Sequence, residues 1–131
     1  MPDKKAGDYA WLDISVHNAN ELSSFYQKVL GWEVEEISMG TYSDYSMVNP
    51  NTKEAVSGIC HAKGYNAKMP PMWLPYFLVD DVEKALKDAL AMGAEQLDEV
   101  KSISKDSFVV IKDPAGACCC LLYTSPSPRD A

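Results

Sequence analysis

The sequence predicts an α+β fold of two tandem βαβββ modules, which form a curled, mostly antiparallel sheet around a central cavity with the helices outside. Three observations predict this fold. The chain repeats a tryptophan and glycine pattern 62 residues apart, each copy opens with an alternating segment and then an amphipathic one, and each continues as short segments separated by turn residues. Trp11-Leu12 recurs as Trp73-Leu74 and Gly31 as Gly93, which favours a duplicated module over chance identity.

The first copy begins with a strand and a helix. The two faces of the strand carry Leu12, Ile14 and Val16 on one side and Trp11, Asp13 and Ser15 on the other. Asn18 is predicted to cap the helix, with Glu21 reaching back as in a capping box, and Gly31 to end it. The predicted buried stripe of the helix comprises Ala19, Leu22, Phe25, Tyr26, Val29 and Leu30.

The second copy repeats this order. Its strand directs Phe77 and Val79 to the helix and turns the opposite face to the cavity, and Asp80 or Asp81 caps the helix that Gly93 ends. The cavity face carries Leu74, Tyr76 and Leu78, and the helical stripe carries Val82, Ala85, Leu86, Ala89 and Leu90. Turn residues bound the remaining predicted strands, which are 32–39, 41–48 and 54–62 in the first copy and 94–102, 107–112 and 117 onward in the second.

These patterns predict the organisation of the whole chain. Residues 1–7 form a disordered N-terminus, 8–62 the first module, 63–72 a linker, 73–123 the second module and 124–131 a non-native tail. The string CLLYTSPSPRD, residues 120–130, resembles a translated sequencing adapter read through in frame. A natural Pro/Ser-rich tail is the alternative. On the adapter interpretation the native sequence after Cys119 is missing, and residues 121–123 complete the last strand because they happen to be apolar.

Composition narrows the classes of function. The chain has 131 residues, 47% of them apolar, and a net charge of −7, which is typical of one soluble domain without nucleic-acid or membrane partners. The first residues lack the apolar core of a signal peptide, so a cytoplasmic location is expected. The four cysteines, three of them consecutive, do not have the spacing of a zinc site and are interpreted as reduced thiols.

Four strings carry a family resemblance: FYQKVLGWEV at 25–34, VDDVEKAL at 79–86, MGAE at 92–95 and IKDPAGA at 111–117. In this order they resemble the vicinal oxygen chelate (VOC) superfamily, which includes glyoxalase I, bleomycin-resistance proteins and extradiol dioxygenases, over residues 8–119. The resemblance implies a cavity formed by both modules. In the metal-binding members, His and Glu residues from both modules hold a divalent metal there.

The resemblance also locates the metal ligands, and this chain departs from the pattern. The first His position falls on Trp11, the second on Leu74 or, with a register slip, on Trp73, and the last Glu position on Cys120. The remaining position falls on the strand around 57–61, where only Cys60 or His61 could serve. Neither Trp nor Leu binds such a cation. No cofactor is therefore predicted, and a divalent metal would require an atypical site.

The candidate ligand-binding residues are Trp11, Asp13, Tyr45, Cys60, His61, Leu74 and Tyr76. Asp13 and His61 are also the candidate catalytic residues, because a carboxylate or an imidazole in a cavity can transfer protons. Each candidate also has a structural interpretation, in which the aromatic residues pack the sheet, Cys60 is a small buried hydrophobe and His61 makes a structural hydrogen bond.

Three functions follow from these residues. The first is the binding of a small molecule in the cavity between the modules, without the usual metal site, as in a sequestering or resistance protein. The alternatives are a lyase, isomerase or dioxygenase of glyoxalase type, with a relocated metal or metal-free acid/base chemistry, and a non-catalytic interaction domain. The resemblance also implies that the two modules either pair within one chain or are exchanged between chains. The ten-residue linker permits both arrangements, and a homodimer is expected.

Overall fold

A computed structural model describes residues 4–125, which divide into two compact units. The first unit is Trp11–Leu74, and the second joins the described residues before position 11 to those from Pro75 onward. The helices are α1 (Ala19–Leu30) and α2 (Val82–Ala91), with a 3-10 turn at Gly64–Asn66. The strands are β1 (Tyr9–Val16), β2 (Glu33–Ser38), β3 (Ser43–Asn49), β4 (Glu54–His61), β5 (Leu74–Leu78), β6 (Glu95–Gln96), β7 (Lys101–Ile103), β8 (Asp106–Lys112) and β9 (Cys118–Tyr123).

The two units share one strand pattern, which confirms the predicted duplication. In the first unit, β1 pairs in parallel with β4, and β3 pairs antiparallel with both β4 and β2. In the second, β5 pairs in parallel with β9, and β8 pairs antiparallel with β9, β6 and β7. Each unit therefore has a helix after its first strand and a returning strand parallel to that first one, so the α+β class and the βαβββ order are confirmed.

Each unit has a core beneath its helix. In the first, the buried cluster is Ile14, Ala19, Tyr45, Met47 and Ile59. In the second, it is Val82, Leu86, Val109 and Ile111. Successive side chains of a strand point to opposite faces of the sheet. The residues next to the core positions in each strand therefore point away from the helix.

The ends of the helices confirm part of the capping prediction. Asp81 accepts a hydrogen bond from the backbone N–H of Lys84 at 3.1 Å, and Gly31 ends α1 with a φ of 75°. The capping box at Asn18 was wrong, because the Asn18 side chain makes no cap hydrogen bond and instead donates to the carboxylate of Glu21 at 3.3 Å. The first turn of α1 thus lacks the side-chain acceptor that α2 has.

The predicted apolar stripe of α1 is wider than the face that packs. Ala19 and Ser23 are buried, and Leu22 and Tyr26 pack against the core cluster, which is the spacing of a single helical face. The far members of the stripe are exposed, with Phe25 at 53%, Val29 at 58% and Leu30 at 51% of their surface. The prediction that all six residues are buried was therefore wrong for these three.

Two other expectations in the second module were also wrong. The single strand predicted at 94–102 is divided into β6 and β7 by a bend in which the Asp98 carboxylate accepts from the Glu99 backbone N–H at 2.8 Å. Lys101 completes this bend with its ammonium 3.4 Å from the same carboxylate. Val79 packs under α2 as predicted, whereas Phe77 is 38% exposed.

Predictions had been made for the N-terminal segment and for the last strand of the chain. Ahead of β1, the backbone N–H of Gly7 donates to the carbonyl of Leu78 at 2.8 Å, so the last residue of the predicted disordered segment 1–7 is hydrogen bonded to β5. At the other end, the predicted last strand is present as β9, which includes residues 121–123 of the adapter-like string. Residues 1–3 and 126–131 lie outside the described residues. Within residues 4–125, neither helix has the length and apolar character needed to cross a membrane.

Candidate functional site

The first unit contains a pocket of about 210 Å³ on the sheet face opposite α1. Its lining residues are Trp11, Asp13, Ile37, Met39, Asp44, Tyr45, Ser46, Gly58 and Cys60. A row across three strands forms the floor, because Gly58 lies opposite both Asp13 and Ser46 in the strand register. Ile37 lies opposite Asp44 on the next strand. The register of β1 to β4 therefore assembles side chains from four strands at one place.

Asp13 is fixed in this pocket by its neighbours. The indole N–H of Trp11 donates to Asp13 Oδ1 at 2.7 Å, and the backbone of Gly58 also hydrogen bonds to the carboxylate. A Cβ atom on residue 58 would overlap Asp13 Oδ1, so the glycine makes room for the carboxylate against the strand. This is a use of glycine that does not depend on an unusual backbone angle.

The environment makes Asp13 a much weaker acid than an exposed aspartate. Burial is the largest influence and raises the pKa, the hydrogen bond from Trp11 lowers it, and the charge of Asp44 raises it again. The pKa of Asp13 rises from 3.8 to about 6. Near neutral pH the carboxyl group can therefore exchange a proton with a bound molecule.

Asp44 and Cys60 form the second polar part of the pocket. Asp44 is only 6% exposed and accepts the backbone N–H of His61 at 2.8 Å. The Cys60 thiol hydrogen bonds to the same carboxylate, and burial followed by the charges of Asp13 and Asp44 raises its pKa. Cys60 is therefore a neutral thiol in this pocket, and the thiolate needed for nucleophilic attack is disfavoured.

Two of the predicted candidates, Tyr45 and His61, face the other side of the sheet. Tyr45 borders the pocket, but it belongs to the core cluster with Ile14. The ring of His61 lies 6.1 Å from the Tyr45 ring, and its Nδ1 lies 2.8 Å from the carbonyl oxygen of Ser43. Because a carbonyl only accepts, this contact assigns the proton to Nδ1. His61 thus makes the structural hydrogen bond that was its alternative interpretation.

The second-module candidates do not belong to this lining. Leu74 is 2% exposed, and Tyr76 is buried with its ring 6.3 Å from that of Phe108. Of the seven predicted ligand-binding residues, the structure brings together Trp11, Asp13 and Cys60, with Tyr45 at the border.

Sequence reasoning missed five residues of the lining. They are Ile37, Met39, Asp44, Ser46 and Gly58. One signal for them was present, since an isolated glycine inside a strand pattern indicates close approach by another group. Asp44 and Ser46 depend on the pairing of β3 with β4, and Ile37 depends on the pairing of β2 with β3. The register of such pairings is not visible in an alternating pattern.

The residues at the expected metal-ligand positions do not fit a divalent metal. The Trp11 nitrogen is a donor that is already bonded to Asp13, Leu74 is a buried hydrocarbon, and Cys120 is fully buried. Indole and alkyl groups offer no lone pair to a cation. Within residues 4–125, no group of three His, Cys, Asp or Glu side chains has the arrangement of a metal site.

Comparison with known proteins identifies the family. A family model described as "Glyoxalase-like domain" matches residues 11–122. Two curated mycobacterial proteins, both named "Putative glyoxylase CFP32" and from Mycobacterium bovis and Mycobacterium tuberculosis, are 30% identical over 119 residues. The match covers 86% of this chain, and the chain spans 44% of the length of these relatives.

Solved structures show the same fold at low identity. A Streptomyces coelicolor methylmalonyl-CoA epimerase is 16% identical with a TM-score of 0.55, over 92% of this chain and 99% of that one. The Mycobacterium tuberculosis methylmalonyl-CoA epimerase is 14% identical with a TM-score of 0.54, over 100% of this chain and 97% of that one. At such identities the likeness concerns the fold alone. Together with the family match, it shows that this chain belongs to the glyoxalase-like domain family and has the fold of the VOC superfamily.

Proposed function

We propose that this chain binds a small, partly apolar molecule in the pocket of its first unit, without the metal that the superfamily commonly uses. The observation that carries the proposal is the pairing of Trp11 with Asp13. Where the metal-binding members place a ligand, an indole instead donates a hydrogen bond at 2.7 Å to a carboxylate that lines the pocket. The pair thus replaces a metal ligand with an apolar wall and an oriented acceptor.

The chemistry of the lining supports binding. Ile37, Met39 and Trp11 provide apolar surface, while Asp13, Asp44 and Ser46 provide polar atoms on the sheet. Binding sites for small molecules typically combine apolar walls with a few oriented polar groups. A volume of about 210 Å³ is suited to one compact ring with a short substituent, since a cavity of about 150 Å³ binds benzene.

The direct test is a thermal-shift screen of a fragment library in the presence of excess EDTA. We expect fragments that raise the melting temperature of the wild-type chain and lose this effect in Trp11→Ala. Ile103→Ala is the matched control, because it removes an exposed apolar side chain from the second unit. A screen without a stabilising fragment, or stabilisation that persists in Trp11→Ala, would contradict the proposal.

A second candidate function rests on the pKa of Asp13. A carboxyl group with a pKa of about 6 inside a pocket can act as a general base at neutral pH. In this function Asp13 would remove a proton from a bound carbon acid and return it at another position, which is the reaction type of an isomerase. His61 has no part in this step, because its Nδ1 is bonded to Ser43 on the other face.

The two candidate functions are distinguished by isotope exchange. A fragment that binds as above is incubated with the chain in D2O, and deuterium incorporation is followed by mass spectrometry. An acid/base enzyme would incorporate deuterium, and Asp13→Asn would abolish the incorporation even at fragment concentrations that saturate the variant. If bound fragments incorporate deuterium no faster in the presence of the protein than in its absence, the result favours binding without catalysis.

A further inference from the structure

The charged residues of the pocket indicate which class of ligand it binds. This inference rests on the proposed function. Two carboxylates, Asp13 and Asp44, line the pocket, and its described lining contains no lysine, arginine or histidine. A third, Glu35, lies on the same sheet face, opposite Ser46 in the strand register. A molecule bound in this pocket therefore lies next to negatively charged side chains, and no positively charged side chain of the described lining compensates them.

The nearest nitrogen that could carry a positive charge does not reach into the pocket. His61 Nδ1 lies 3.5 Å from Asp44 Oδ1, but it is bonded to the Ser43 carbonyl at 2.8 Å. The Cys60 thiol, which also contacts Asp44, is neutral. The repulsion between Asp13 and Asp44 is therefore relieved only partly by the groups around them.

Both carboxylates keep capacity to accept further hydrogen bonds. Asp13 Oδ1 takes the Trp11 indole N–H, and Asp44 Oδ1 takes the His61 backbone N–H. A carboxylate has about four lone-pair sites, so each group can accept another donor after these contacts. The wall next to them is apolar and includes the Trp11 indole, and an organic cation is attracted to an aromatic ring of this kind.

We propose that the ligand of this pocket is a small organic cation, an ammonium group on a compact aromatic or branched apolar body. Its N–H groups lie between Asp13 and Asp44, and its apolar body lies against Trp11, Ile37 and Met39. An ammonium has donors and no acceptor, which matches two acceptor-only carboxylates, whereas a carboxylate ligand would add a third negative charge.

The test compares three probes of similar size at pH 8: benzylammonium, benzyl alcohol and benzoate. Binding is followed by two-dimensional NMR, with the indole N–H signal of Trp11, assigned by Trp11→Phe, as the reporter of the Asp13 contact. We expect benzylammonium to bind at least about tenfold more tightly than benzyl alcohol, and benzoate to bind least.

Charge-removing variants provide the control. Asp13→Asn and Asp44→Asn should each remove most of the advantage of benzylammonium over benzyl alcohol, and Asp44→Asn keeps an oxygen for the His61 N–H. Asp88→Asn, which removes an exposed charge from α2, should leave the advantage unchanged. If Asp44→Asn does not fold, Asp13→Asn alone carries this arm of the test.

The outcomes separate this inference from the proposed function. Equal or tighter binding of benzyl alcohol or benzoate at the Trp11 signal would overturn the cation inference and leave the proposed binding function in place. The absence of any shift of the Trp11 signal with all three probes would overturn the inference as well, and the fragment screen then decides the binding function by itself.

Discussion

Asp13 illustrates how a residue that lines a pocket can be unfavourable for folding. Trp11 and the Gly58 backbone hydrogen bond to its carboxylate, but burial and the charge of Asp44 have the larger effect and raise its pKa to about 6. The folded chain therefore binds the Asp13 proton more tightly than the unfolded chain does. Its contribution to stability is complete below about pH 4 and is lost as the pH rises through 6.

Because ionised Asp13 destabilises the folded chain, a prediction follows for Asp13→Asn. The amide cannot ionise, so the variant should gain stability relative to wild type between pH 4 and pH 8, by up to about 3 kcal/mol in the free energy of unfolding. Urea unfolding at several pH values measures the difference. Asp88→Asn, at an exposed pair with Lys84, should change by less than about 0.5 kcal/mol over the same range. A wild-type advantage that grows with pH would contradict the assigned environment of Asp13.

Gly58 provides a second prediction at the scale of one residue. Gly58→Ala should lower the free energy of unfolding by about 1–3 kcal/mol, because the new Cβ overlaps Asp13 Oδ1. In an Asp13→Ala background the overlap is gone, and the same substitution should cost at most about 1 kcal/mol. Equal costs in the two backgrounds, measured by urea unfolding, would show that Asp13 does not occupy this space.

The helices and strands show which features a sequence can predict. The start of α2 and the αL glycine after α1 were predicted correctly because Asp81 and Gly31 act on their own neighbours. The exposure of three residues in the α1 stripe was not predicted, because the width of the buried helix face depends on the sheet beneath it. The division of the strand at 94–102 arises from Asp98 and Lys101, a local polar contact that competes with a continuous strand.

The contrast between the two helix starts leads to a prediction for these elements. Asp81→Ala should lower the free energy of unfolding by about 1 kcal/mol, because it removes the acceptor for the Lys84 N–H. Asn18→Ala should change it by no more than about 0.5 kcal/mol, because Asn18 makes no such bond. Thermal and urea unfolding of both variants measure the difference. Similar losses in the two variants would contradict the capping geometry described for α1.

At the scale of the whole molecule, the duplication was predictable and the pocket only partly so. The repeat of a tryptophan, a helix and a glycine predicted two modules. These features could be recognised because each depends on residues that are close in sequence. Of the pocket, Trp11 and Asp13 were predicted because they share one face of one strand. Cys60 and His61 were both proposed, although neighbouring residues on a strand face opposite ways. The pairing of β4 with β1 decides between them, because it places Cys60 opposite Ser15, on the strand face that carries Asp13. The pairing with β3 brings Asp44 to the same side as Cys60.

The central claim is that this pocket binds a small molecule without a metal. Two-dimensional NMR of the chain in excess EDTA, with fragments added, tests it most directly. The account predicts shifts at the Trp11 indole N–H and at the backbone amides of Ser46, Gly58 and Cys60, all of which line the pocket. Shifts at these positions that occur only after a divalent metal is added, or no shifts there with any fragment, would contradict it.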